Sequence, residues 1–167
     1  MLKVIRNIIT TYIIFFLAAT LWTVPAKAQV VDKYISKYKS IAMQLSAEYG
    51  IPVAIILGVA IVESSAGKGP AVKRLNNHFG IVGHNELKVD SNHHKSRYKQ
   101  YKSAEDSYRD FCKMISRKKF YDKIKYNNDP SIWVRAMSLA HYSELPLIWQ
   151  KKILSTIANY NLNSFCN

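Results

Sequence analysis

A chain of 167 residues has room for one domain, and the absence of internal repeats and long linkers excludes a repeat or multidomain organisation. Its 24 Lys and Arg against 11 Asp and Glu give a net charge of +13, which points to a polyanionic partner. The two cysteines, Cys112 and Cys166, form no C-x-x-C and no zinc-like spacing. The first stretch reads as an address rather than as part of the domain. Lys3 and Arg6 make a basic head, residues 8–21 an apolar run, and Ala26-Lys27-Ala28 a small-x-small triplet. That order predicts a secretory signal peptide over residues 1–28 and a mature domain over 29–167. The run is shorter than the roughly 20 apolar residues a membrane span needs. No stable membrane insertion is therefore expected after cleavage. Loss of Lys3, Arg6 and Lys27 lowers the net charge by three, from +13 to +10.

Beyond Ala28 the pattern is helical. Apolar residues from Val31 to Tyr49 recur at helix spacing, and Gly50 is a natural stop. Pro52 suits the first turn of a second helix. That helix, Val53 to Val62, is apolar on every side and belongs in the middle of a core. Gly67, Gly69 and Pro70 break the pattern. Residues 76–102 read as loops with a short β-hairpin ending at Tyr98-Lys99-Gln100-Tyr101. Ser103 and Asp106 form a capping-box pair before a helix whose inner face carries Tyr108, Phe111, Cys112 and Ile115. Asp129-Pro130 and Leu145-Pro146 open two more helices. About five helices and one β excursion predict a mainly α (α+β) domain of lysozyme type. Export permits a disulfide, but nothing in the sequence brings Cys112 and Cys166 together, and Cys112 also suits a buried free thiol.

Glu63 ends the apolar helix, directly after Ile61 and Val62. A carboxylate at the edge of a dry core is costly to ionise, so its pKa rises and it can hold a proton near neutral pH. A glycosidase general acid needs that property. The pattern alone equally allows a helix-end Glu that reaches solvent or pairs with a lysine. The wider string narrows the choice. The Pro52–Ser64 helix, the turn Ala66-Gly67-Lys68-Gly69, Asn76-Asn77-His78-Phe79-Gly80-Ile81, Tyr98-Lys99-Gln100-Tyr101-Lys102-Ser103 and His141-Tyr142-Ser143-Glu144 follow in order. This succession resembles the bacterial glucosaminidase family, glycoside hydrolase family 73, which includes the wall-cutting domain of the flagellar rod hydrolase. The family has Gly-Tyr-Ala-Thr where this chain has His141-Tyr142-Ser143-Glu144. The resemblance runs from about Tyr34 to Leu162.

The resemblance implies a lysozyme-like helical domain with a small β lobe. It also implies cleavage of the β-1,4 bond after N-acetylglucosamine in peptidoglycan. Carried over by position, Glu63 is the proton donor and Tyr142 the functional tyrosine. Asp90, with Glu86 as runner-up, stands nearest the family's second acid. If neither reaches the cleft, the substrate's acetamido group can supply the nucleophile, with Tyr142 orienting it. Asn77, Phe79, Tyr98 and Tyr101 are candidate substrate-binding residues, as is Trp149, although turn or core roles suit them too. No cofactor and no metal are expected, because the histidines lack helical i, i+4 spacing. The expected partner is the peptidoglycan glycan strand, met by a monomer in the periplasm or outside the cell. Nucleic acid is not expected, since no recognition motif accompanies the charge. Two other readings share the fold: a lytic transglycosylase, which also uses Glu followed by Ser, and a non-catalytic wall-binding module.

Overall fold

The computed structural model describes residues 26–87 and 96–165. The apolar run of the expected leader, Asp90, His93, His94 and Cys166 lie outside the described residues. The core and the cleft are built from described residues of the compact unit that begins at Val31. Seven α-helices occur among the described residues: α1 (Ala26–Tyr49), α2 (Val53–Ser64), α3 (Pro70–Leu75), α4 (Ala104–Ser116), α5 (Tyr121–Ile124), α6 (Pro130–Leu139) and α7 (Pro146–Asn159). A 3₁₀ turn follows at Leu162–Phe165. None of these helices is long and apolar enough to cross a membrane.

The chain is mainly helical, and its apolar residues are hidden on helix faces. Every residue from Val53 to Ile61 is buried, so α2 runs through the middle with the other helices around it. It packs chiefly against α7, the 3₁₀ turn and α6. Fully burying an Ile or Leu contributes about 1.5–3 kcal/mol relative to exposure, and Ile55, Ile56 and Leu57 all have zero exposure. The element is thus the fixed reference of the fold, and whatever leaves its C-terminus is held firmly. Helix starts follow their sequence signals. The Ser103 hydroxyl accepts from Asp106 N (3.1 Å), and the Asp106 carboxylate accepts from Ser103 N (3.0 Å). Asp129 accepts from Ser131 N at 2.8 Å ahead of Pro130. The short helices α3 and α5 were not expected. Six and four residues long, they are too brief for a periodic pattern to register.

Among the described residues of the β lobe, an isolated bridge pairs Val82 with Tyr98, supported by Gly83 N to Arg97 O (2.9 Å), Lys99 N to Ile81 O (2.8 Å) and Gln100 N to His84 O (2.9 Å). Asparagine amides add to this. Asn77 Nδ2 donates to both Ile81 O and Lys99 O at 2.8 Å, clamping the two arms together. Asn85 Nδ2 donates to Ser96 O and Tyr98 O, and Asn76 Nδ2 to Tyr101 O and Lys102 O. Lys99 Nζ and Tyr101 Oη both meet Asp110 Oδ2 at 2.7 Å, which docks the lobe on α4. Cys112 is a buried free thiol, and burial pushes its pKa up.

Candidate active site

Glu63 lies one residue before the end of α2, where the helix leaves the core. The turn behind it is fixed by Ser64, whose hydroxyl accepts from Gly67 N at 2.9 Å. Ser65 and Ala66 take left-handed conformations, and Ala66 N caps Ile61 O at 2.8 Å. The Glu63 side chain therefore has little choice of direction. It opens into a cleft of about 510 Å³, lined also by Gly80, Arg97, Tyr98, Tyr142, Glu144, Trp149 and Lys152, among others.

Within that cleft Trp149 Nε1 donates to Glu63 Oε1 at 2.7 Å. Glu63 makes no ion pair among the described residues. Its residue surface is open to the cleft mouth, yet the walls strip enough water to raise its carboxyl pKa. The Trp149 hydrogen bond and the Lys152 charge oppose that rise and do not cancel it. Because the indole N–H occupies Oε1, a proton on this carboxyl belongs on Oε2. A Cβ at position 80 would stand 3.7 Å from Oε2, and Gly80 itself has φ +67°. Glycine there meets a backbone requirement and leaves the approach to Oε2 open.

Tyr142 follows His141, which holds φ +57°. Its ring packs 5.2 Å from Trp149 and 6.1 Å from Phe111, and its hydroxyl donates to Phe79 O at 3.4 Å. Burial, and the nearby Glu63 carboxylate, push its phenol pKa well up, so it stays a neutral hydroxyl. Tyr98, 37% exposed, lines the same cleft.

The structure thus brings Glu63, Tyr98 and Tyr142 to one cleft. It does not bring Asn77, Phe79 or Tyr101 there. Asn77 is buried, with its amide committed to the lobe and its Oδ1 accepting from Ile81 N at 3.1 Å. No polar atom of it is left for sugar. Phe79 is buried and stacked on Phe111 at 4.2 Å, and Tyr101 is buried with its hydroxyl on Asp110. These three build the cleft's support. Glu86 is exposed and away from the lining residues. Arg97, Glu144 and Lys152 line the cleft without having been singled out from the sequence. Each reads locally as a solvated charge, and only the tertiary fold aims them together. Trp149 is 5% exposed, a core indole with a polar edge turned to the site. His78 Nδ1 and the Tyr34 hydroxyl are hydrogen-bonded at 2.6 Å, and burial lowers the His78 pKa to about 4. No cluster of three or more His, Cys, Asp or Glu placed to hold a metal occurs among the described residues.

Solved structures share this architecture. The catalytic domain of the autolysin Auto from Listeria monocytogenes matches with a TM-score of 0.66 at 20% identity, over 90% of this chain and 93% of that one. The glycoside hydrolase domain of FlgJ from Salmonella typhimurium matches with a TM-score of 0.65 at 20% identity, over 80% and 90%. A peptidoglycan hydrolase from Sphingomonas sp. A1 matches with a TM-score of 0.64 at 17% identity, over 80% and 91%. At these identities the likeness concerns the fold. No curated protein matches the chain by sequence. The family described as mannosyl-glycoprotein endo-beta-N-acetylglucosaminidase matches residues 39–162, most of the chain. With that match added to the helical fold, the chain belongs to the glucosaminidase family.

Proposed function

We propose that this protein is an exported peptidoglycan hydrolase that cuts the β-1,4 bond after N-acetylglucosamine, with Glu63 as general acid. The observation that carries the reading is the Glu63 carboxyl, opening into a cleft and held by Trp149 at 2.7 Å. A leaving sugar oxygen is a poor leaving group until it is protonated. A carboxyl whose pKa is raised by burial, on a rigid helix end, is placed to supply that proton without reorganisation. Family membership supports a glycosidase, and the names of the FlgJ domain and the Sphingomonas enzyme support a wall glycan as substrate. Tyr98 offers a stacking face for one sugar. Tyr142, a neutral hydroxyl beside Glu63, can orient a substrate acetamido group. Arg97 and Lys152 suit the carboxylates that peptidoglycan carries on its stem peptides. The leader expected over residues 1–28 supplies the route to the envelope.

The test is digestion of purified peptidoglycan by wild type and Glu63→Gln. Gln keeps the size of the side chain and can still accept from Trp149, so the fold should survive while release of reducing ends falls to background. Digestion by the variant at wild-type rate would overturn the assignment. Mass spectrometry of the products should show N-acetylglucosamine at new reducing ends, whereas anhydro-sugar ends would mean transglycosylation.

A further inference from the structure

Glu63 accounts for one proton, yet hydrolysis needs a second group to take a proton from water. Among the described residues that line the cleft, two carry carboxylates, Glu63 and Glu144. They come from different elements. Glu63 ends α2, while Glu144 lies just ahead of α7, the helix that carries Trp149 and Lys152. Their surroundings differ as an acid and a base require. Both residues are exposed, but Glu63 is hydrogen-bonded to an indole. Glu144 is exposed and takes part in no hydrogen bond or ion pair among the described residues, so water reaches it freely. Its main chain is not loose, however. Tyr142 N donates to Met137 O (3.1 Å), and Leu145 N to the Ser143 hydroxyl (3.2 Å), which pins the segment on both sides of Glu144. Glu86 is outside the lining residues and cannot compete from there.

We propose that Glu144 is the general base that activates the attacking water, an assignment that rests on Glu63 being the proton donor. The water oxygen forms a bond to the anomeric carbon as the bond from that carbon to the leaving sugar oxygen breaks. Glu63 gives its proton to the leaving oxygen, and Glu144 takes one from the water. Exchange with solvent then returns a proton to Glu63 and removes one from Glu144. Attack opposite the leaving group inverts the anomeric centre, so a β bond yields an α product.

The experiment compares the full chain with Glu144→Gln, Glu63→Gln and Asp90→Asn on purified peptidoglycan, with and without sodium azide. Azide is a nucleophile that needs no base, so it replaces water only where the base is what is missing. Glu144→Gln should melt like wild type and lose about 10²–10⁴-fold in kcat. Azide should restore turnover and give an α-glycosyl azide, while Glu63→Gln should stay inactive. Wild type should release α product first, as read by NMR. Near-wild-type activity of Glu144→Gln, a loss that azide does not repair, azide rescue of Asp90→Asn instead, or initial β product would each overturn the assignment. A wild-type chain that releases no reducing ends would sink the hydrolase reading itself. An active wild type beside an unaffected Glu144→Gln would sink the base alone.

Discussion

Trp149 acts on Glu63 in two opposed ways. Its bulk helps close the wall that dehydrates the carboxyl, and its N–H stabilises the charged form. Dehydration is the larger effect, so the carboxyl pKa stays raised. Removing the N–H while keeping an aromatic ring isolates the smaller one. In Trp149→Phe the charged carboxylate loses a donor, and its pKa moves further up. Glu63 acts only when protonated, so the alkaline limb of kcat/KM should shift to higher pH. Lys152→Met should move it the same way, because it removes a favourable charge. A pH–rate profile of the three proteins checks this. A limb that stays in place or shifts to lower pH would show that Glu63 does not set it. His141 makes a separate point. It holds a left-handed φ of +57° where the family pattern has glycine, a strain of about 1 kcal/mol or more that the fold tolerates beside Tyr142.

The contact that sets Glu63 against Trp149 is made by two helices, α2 and α7, and Gly58 sets their spacing. A Cβ at Gly58 would lie 2.8 Å from Ile157 Cγ1 and 3.2 Å from its Cδ1. Gly58→Ala gains up to about 1 kcal/mol of helix propensity but overpacks the crossing, which costs about 1–3 kcal/mol. A net loss of about 1 kcal/mol is expected, visible as a lower Tm. Activity should fall further than stability explains, because α7 moves away from α2 with Trp149 on it. An unchanged Tm together with unchanged kcat would mean that the crossing has slack. At this scale the sequence was most legible. The burial of α2, the Ser103–Asp106 box and the Pro starts of α6 and α7 are local signals, and the structure follows them. The lobe was legible only in outline, since many of its hydrogen bonds run through asparagine side chains beside a short backbone pairing. Glu63 could be picked out because a charge interrupts an apolar run. For Asn77, Phe79 and Tyr101 the sequence left sugar contact and support both open, because a polar or aromatic residue near a cleft looks the same in sequence whether it faces the cleft or supports it. Glu144 and Arg97 gave no signal, as their meaning arises only when α7 and the lobe close on one groove.

For the whole molecule the question is what a net charge of +13, or +10 without the expected leader, does. Part of the acid is locally answered: Glu48 and Glu105 meet Arg109, Asp110 meets Lys99, and Asp122 meets Lys125. Such exposed pairs contribute little to stability. Their consequence is that the unpaired surplus of cations dominates the outer field. The cleft is different, since Glu63 and Glu144 face Arg97 and Lys152 within it. The outer charge therefore acts on encounter with the wall, and the cleft acts on the bond. Salt separates the two, because at about 0.15 M it screens beyond about 8 Å. Raising salt from about 50 to about 300 mM should lower kcat/KM several-fold on native wall, through slower capture, and leave kcat unchanged. On wall whose anionic polymers have been stripped and whose peptide carboxylates have been amidated, the salt effect should vanish. An equal salt effect on both substrates would place the sensitive charges inside the cleft, and no effect on either would leave the basic surface without a role in capture.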